Sequence, residues 1–220
     1  MTIHPSPAEL AHRFRHSLDD IWRQSLRGRV IDMVAPIAAQ VDFGEIAEEL
    51  SGVYRWTGAS NLDISVAAHT VWGCDAVEPD LTPWWLLHDA HEARIGDITN
   101  PAAAALDAVA EILNGRAGMV RDAIAVLKHR HDVAIHEAAG LPMPTEAQKQ
   151  ALKRADLIML ATERRDFLRA SPAPWVIDAL GIVPLRLRLR WSPKPDMADD
   201  LRRLFNRYLP ALQRSPAKAW

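Results

Sequence analysis

The sequence predicts an all-α fold, because three observations agree. Apolar residues recur at the three- and four-residue steps of an amphipathic helix along most of the chain. Almost no segment shows the two-residue alternation of a half-buried strand. The 220 residues are enough to bury one substantial core. We therefore expect one helical domain with an appendage.

The first predicted element is an amphipathic helix over residues 6–26 that ends near Gly28. One face of this helix carries Leu10, Phe14, Leu18, Ile21 and Trp22. We assign residues 1–26 to an N-terminal helical extension, residues 27–213 to the main domain and residues 214–220 to a tail.

Further helical patterns are predicted within the main domain over residues 44–53, 62–78, 82–93, 102–113, 117–139, 145–170 and 197–213. The segment 185–191 alternates apolar and Arg residues, but a lone strand has no partner, so we predict an extended linker. Pro193 and Pro195 then break the chain before a C-terminal packing helix. The packing face of that helix comprises Leu201, Leu204, Phe205 and Tyr208.

Charge and cysteine content exclude several classes of protein. The 26 Lys and Arg residues face 28 Asp and Glu residues, and this net charge of -2 disfavours binding to nucleic acid polymers or anionic membranes. Cys74 is the only cysteine, so the sequence has no disulfide framework and no Cys-rich zinc site. No apolar run has the length of a signal peptide or membrane span, and we expect a cytoplasmic protein.

Residues 65–97 contain the most informative polar pattern. His69 lies within a helical segment, and His88 and Asp89 follow the apolar run WWLL. A buried imidazole and carboxylate need partners to offset the loss of hydration. A bound divalent cation would be such a partner.

Three further carboxylates can be placed near this pair. Glu92 follows His88 by four residues and so shares its helix face. Asp97 follows Gly96 on a loop that could fold back over the site. Asp156 has apolar neighbours in the sequence, so it is predicted to be paired or to bind a metal.

Two imidazoles and two carboxylates form a ligand set suited to Mn, Fe, Co, Ni or Zn. Such an ion lowers the pKa of bound water towards ~7 and neutralises charge on a phosphoryl group, which indicates hydrolytic chemistry. No second ligand set stands out in the sequence, so we expect one divalent transition metal per chain.

A second His-Asp pair, His131-Asp132, weakens any argument from the dipeptide alone. Residues 128–130 before it are Lys, His and Arg, and no apolar run precedes it. We therefore predict a solvated helix face there, and we expect substitution of Asp132 to be nearly silent.

The motifs together resemble the 5'-deoxynucleotidase branch of the HD-domain phosphohydrolases, a group that includes related bacterial and phage deoxynucleotide hydrolases. The matching pieces are RVIDMVAP at 29–36, residues 43–50, YRWTG at 54–58, SVAAH at 65–69, LLHDAHEARIGDI at 86–98 and ADLIMLATERRDF at 155–167.

This resemblance implies an HD-domain helical bundle whose metal ligands are His69, His88, Asp89 and Asp156. It implies two catalytic residues, Glu92 to assist the attacking water and Asp97 to accept the 3'-hydroxyl. It also implies substrate contacts from Arg55 to the phosphate and from Trp56 to the sugar or base, where the ring leaves little space for a 2'-hydroxyl.

The sequence departs from the family pattern in two places. Ala68 stands where similar proteins carry Glu or Gln, and we expect weaker support of His69. His91 stands where they carry a small residue. His91 and Lys153 could contact a longer phosphate chain or face solvent, so both are candidate substrate-binding residues.

The expected activity is removal of the 5' phosphate from deoxynucleoside monophosphates. Two alternatives are a deoxynucleoside triphosphohydrolase, for example one that acts on dATP and releases triphosphate, and an inactive nucleotide-binding sensor. The intact ligand set argues against the sensor. We expect the chain to form a homo-oligomer, a dimer or higher.

Overall fold

The periodic apolar segments form helices in the structure, a computed structural model that describes residues 21–214. These residues are mostly helical, which confirms the predicted all-α class. The α-helices are α1 (Phe43–Leu50), α2 (Val66–Trp72), α3 (Thr82–Leu87), α4 (Glu92–Ile95), α5 (Asn100–Asn114), α6 (Met119–Ala139), α7 (Glu146–Phe167), α8 (Val176–Ala179), α9 (Lys194–Tyr208) and α10 (Pro210–Arg214).

A short antiparallel hairpin precedes the helices. Its strands are β1 (Trp22–Gln24) and β2 (Val30–Asp32), with Arg23 opposite Ile31. The predicted N-terminal helix is therefore wrong where it extends over residues 21–26, and its part before residue 21 lies outside the described residues.

Long-range contacts explain why this segment is extended. The Arg23 guanidinium donates to the Ala93 carbonyl at 2.7 Å and pairs with Glu49. The hairpin loop closes with a hydrogen bond from the Ser25 amide to the Arg29 carbonyl at 2.8 Å. Helical periodicity in a sequence predicts a helix only weakly, and tertiary contacts such as these can override it.

The core forms where helix α9 packs against both α1 and α2. Helix α1 begins at an Asp42 cap, whose Oδ1 accepts from the Glu45 amide at 3.0 Å. Phe43 of α1 meets Phe205 of α9 edge to face, with ring centroids 5.3 Å apart. Leu201 and Phe205 are buried and Leu204 and Tyr208 pack against the same core, which confirms the predicted packing face.

The predicted linker at 185–191 is confirmed, since it has no regular secondary structure. It is held against α7 by side chains: the Leu189 amide donates to Asp166 at 2.9 Å, and Arg165 donates to the Leu187 carbonyl at 2.7 Å. Between residues 21 and 214, every helix is too short or too polar to cross a bilayer.

Two predicted helices are interrupted. The pattern over 62–78 gives α2 and then a 3-10 turn at Gly73–Ala76, and the pattern over 82–93 gives α3 and α4 with a turn between them. His88 and Asp89 lie in that second interruption. The break turns their side chains towards α2 and α7.

Candidate metal centre

The four predicted ligands come together from two helices and a turn. Nε2 of His69, on α2, lies 3.2 Å from Nε2 of His88, 3.8 Å from Oδ2 of Asp89 and 3.7 Å from Oδ1 of Asp156. The His88 Nε2 and Asp89 Oδ2 atoms are 3.1 Å apart. The donors of His69, His88 and Asp156 form a group that could hold a metal ion, and Asp89 Oδ2 lies close to the two imidazoles of that group.

The His88 ring is fixed by Trp85. Its Nδ1 donates to the Trp85 carbonyl at 2.6 Å, which leaves Nε2 as the free nitrogen. The Trp85 indole stacks on the imidazole with centroids 3.9 Å apart, and its own N–H donates to the Thr70 carbonyl at 2.8 Å. The indole fits because Gly73 has no side chain: a Cβ there would lie 1.9 Å from Trp85 Cζ2.

The His69 ring is fixed by Glu163, a residue that the sequence analysis missed. His69 Nδ1 donates to Glu163 Oε1 at 2.8 Å, and both side chains are fully buried. The available signal was spacing, because Glu163 follows Asp156 by two helical turns and so lies on the same face of α7. The weaker support expected from Ala68 is wrong, since Glu163 supplies it.

The two histidine orientations have a consequence for what the site can hold. Because both Nδ1 atoms donate hydrogen bonds, the two Nε2 atoms, 3.2 Å apart, are the ring nitrogens left to bind a cation. A cation that both Nε2 atoms bind is the expected partner of two imidazoles oriented in this way. The donor set therefore fits a divalent transition metal.

Arg55 lies inside the site with its Nε 2.9 Å from Oε2 of Glu163. Burial lowers its pKa, but Glu163, Asp89, Asp156 and Asp97 outweigh burial and the net shift is upward. The guanidinium is thus a fixed positive charge beside the ligands, as a phosphate contact requires.

The backbone after Arg55 is strained. Trp56 and Thr57 both adopt left-handed conformations, with φ of 52° and 54°. Such residues cost about 1–2 kcal/mol each and persist where the surrounding structure needs them. The Arg55 Cζ lies 5.5 Å from the centroid of the Trp56 ring, so the strained turn places the indole beside the charged group.

Glu92 and Asp97 add negative charge next to the ligands. Burial, followed by the charges of Asp89 and Asp97, raises the pKa of Glu92 to about 10. Burial also raises the pKa of Asp97, with Asp89 adding to the shift and Arg55 opposing it. Lys128 of α6, which the sequence analysis assigned to solvent, has its Nζ 3.9 Å from Glu92 Oε1.

His91 and the second His-Asp pair differ from the predictions. His91 Nδ1 donates to Asp132 at 2.9 Å, and His131 is only 2% exposed with its Nε2 3.2 Å from the Met33 carbonyl. The predicted solvated face at His131-Asp132 is therefore wrong. The sequence pattern that indicates a buried His131 is its spacing of three and four residues from Ala134 and Ile135, which lie on the same buried helix face.

The expectation of no second ligand set is also wrong. Donor atoms of Asp89, His91 and Glu92 lie within 4.8 Å of one another, in a second group that could hold a metal ion. Lys153, by contrast, lies at the rim: its side chain is 62% exposed and its Nζ is 2.8 Å from Oδ2 of Asp156.

Comparison with known proteins gives relatives without a stated activity. No family model matches the chain. It is 30% identical over 193 residues to an uncharacterized protein of Rhodobacter capsulatus, a match that covers 79% of this chain and 89% of that protein. The chain belongs to the family of that protein. A second relative, the uncharacterized protein YfdR of Escherichia coli, is 34% identical over 148 residues, or 64% of this chain and 73% of YfdR.

For this member of the Rhodobacter protein's family, the chemistry must be argued from the site. A buried group of imidazole and carboxylate donors lies beside a fixed guanidinium. Such an arrangement can bind a cation and an anionic group together, which is what hydrolysis of a phosphate ester requires.

Proposed function

We propose that the chain is a metal-dependent phosphohydrolase of the HD-domain type that removes the 5' phosphate from deoxynucleoside monophosphates. The observation that carries the proposal is the pair of His69 and His88 Nε2 atoms facing each other at 3.2 Å, next to two carboxylates. One divalent transition metal, Mn, Fe, Co, Ni or Zn, would be held by His69, His88, Asp89 and Asp156.

The metal ion, Arg55 and Glu92 would each have a separate role in hydrolysis. A bound divalent ion supplies Lewis acidity for phosphoryl transfer. Arg55 binds phosphate oxygens, because its charge is fixed by burial among carboxylates. With the cation bound, the Glu92 carboxyl would accept the proton of the attacking water, because a positive charge beside Asp89 lowers the high pKa that burial, Asp89 and Asp97 give Glu92 in the metal-free protein.

The sugar would be held by Trp56 and Asp97. The strained backbone at Trp56 supports a role in substrate binding, because strain of this kind collects at functional sites. Asp97 is half-buried, and the charges of both Arg55 and Asp89 influence its pKa, which supports a role for this carboxylate at the same site. An indole against the sugar would exclude a 2'-hydroxyl.

The test offers matched deoxy and ribo mono- and triphosphates to the purified protein with Mn²⁺ or Co²⁺. We expect orthophosphate from deoxynucleoside monophosphates and none from an Asp156→Ala variant that is folded. Absence of release from every substrate and metal would reject the enzyme and favour an inactive nucleotide-binding sensor.

A deoxynucleoside triphosphohydrolase is the second candidate, and cations near the site favour it. Lys128 approaches Glu92, and Lys153 lies at the rim with Asp156. Two lysines at these positions suit a longer phosphate chain. Release of tripolyphosphate, for example from dATP, would identify this activity, and light scattering would test the predicted homo-oligomer.

A further inference from the structure

The second group of donors shares one residue with the first. Asp89 is 3.1 Å from the His88 Nε2 through its Oδ2 atom, and it also groups with His91 and Glu92 within 4.8 Å. Asp89 thus lies between two sets of ligand atoms. A carboxylate has two oxygens and can bridge two cations.

His91 is held as a metal-binding histidine is held. Its Nδ1 donates to Asp132 Oδ1 at 2.9 Å, so the Nε2 atom carries the free lone pair. That Nε2 atom is buried and has no hydrogen-bond partner among residues 21–214. A carboxylate that orients an imidazole through its other nitrogen is the usual outer partner of a metal ligand.

Glu92 has the same property. Its Oε2 atom is buried and lacks a hydrogen-bond partner within the described part of the chain, whereas Lys128 approaches Oε1 at 3.9 Å. Buried polar atoms without partners are rare and require an explanation. Two of them in one group of potential ligands have a common explanation in a shared cation.

We propose that Asp89, His91 and Glu92 bind a second divalent cation, with Asp132 as the positioning residue for His91. One imidazole and two carboxylates form a harder ligand set than that of the first site, so Mn²⁺ suits it. The proposed hydrolase needs only the first ion, so this inference goes beyond it. Glu92 would use Oε2 for the cation and Oε1 for the proton.

Equilibrium dialysis against Mn²⁺, followed by elemental analysis, tests the proposal. The wild-type protein is expected to bind about two ions per chain at saturation, and His91→Ala about one. Asp132→Asn should keep both sites and weaken the second by about 10–100-fold. His129→Ala, a histidine deletion on the same helix as Asp132, is the matched control and should bind two.

Electron paramagnetic resonance of the Mn²⁺-loaded protein provides a second readout. Two ions that share Asp89 should give a coupled spectrum in the wild type, and His91→Ala should give the spectrum of an isolated ion. One ion per chain in the saturated wild type, or two in a folded His91→Ala, overturns the proposal. If His91→Ala does not fold, the wild-type stoichiometry and the Asp132→Asn affinity decide.

These outcomes are independent of the proposed activity. If the protein binds two ions and hydrolyses no nucleotide, the proposed second site stands and the proposed hydrolase is rejected. If the protein hydrolyses deoxynucleotides and binds one ion, the proposed hydrolase stands and the proposed second site is rejected.

Discussion

Glu163 is the residue whose removal should most disturb the site without deleting a metal ligand. It is fully buried, accepts a hydrogen bond from His69 and pairs with Arg55. Truncation to Ala would leave the Arg55 charge without its nearest partner, and breaking a buried pair in this way costs about 3–5 kcal/mol. Because Asp89, Asp156 and Asp97 still interact with Arg55, we expect the lower end, about 3 kcal/mol.

The assay is urea unfolding of the metal-free protein, with metal affinity measured separately. Glu163→Gln keeps an acceptor for the His69 N–H but loses the charge, so it should cost about 2 kcal/mol and weaken the metal less than Glu163→Ala does. The matched control is Glu146→Gln at the start of α7, because its ion pair with Lys149 is exposed and is worth at most about 1 kcal/mol. Unfolding energies for Glu163→Ala and Glu146→Gln that agree within ~0.5 kcal/mol would refute the reasoning.

Glu92→Gln should keep the ion at the His69, His88 and Asp156 site while turnover falls by ~10²–10⁴-fold, and near wild-type turnover would show that this carboxyl carries no proton. Burial lowers the pKa of His131 to about 4, below its unfolded value of 6.5, so the unfolded chain binds the extra proton first. Stability should therefore fall by about 3 kcal/mol as the pH drops from 6.5 to 4, and His131→Gln should lose this part of the pH dependence; an unchanged slope would contradict the assignment. Trp56→Ala should narrow the preference for deoxy over ribo substrates, and equal wild-type rates on both sugars would reject the proposed wall. Asp97→Asn should weaken substrates that have a 3'-hydroxyl more than 3'-deoxy analogues, which a binding comparison would reveal.

Local periodicity accounts for most of what the sequence predicted. The predicted 102–113, 117–139 and 145–170 segments correspond to α5, α6 and α7, because an apolar face repeated over several turns favours a helix. The ligand residues could be chosen because a His or Asp inside an apolar helical pattern needs a partner. The cost of burying such a side chain applies to each residue separately, whichever helices meet around it.

Most of the features that were missed depend on contacts between distant residues. The role of Glu163 depends on its hydrogen bond with His69, 94 residues away along the chain. The role of Asp132 depends on its hydrogen bond with His91, 41 residues away. The left-handed turn at Trp56 and Thr57 has no glycine to mark it before Gly58. The hairpin at residues 22–32 is held by Arg23 bonds to α1 and α4, which override its local helical pattern.

Gly73 links the shape of the backbone to the position of a metal ligand. Its φ of -73° is ordinary, so the residue is needed for space rather than for conformation. Any side chain there would displace the Trp85 indole. Trp85 fixes the His88 ring in two ways, because its indole stacks on the imidazole and its backbone carbonyl accepts the hydrogen bond from His88 Nδ1. The displacement caused by a single added methyl group would pass through the Trp85 ring to His88 in the candidate metal centre. Residue 73, which has no polar side-chain atom, is therefore expected to influence the position of a ligand through packing alone.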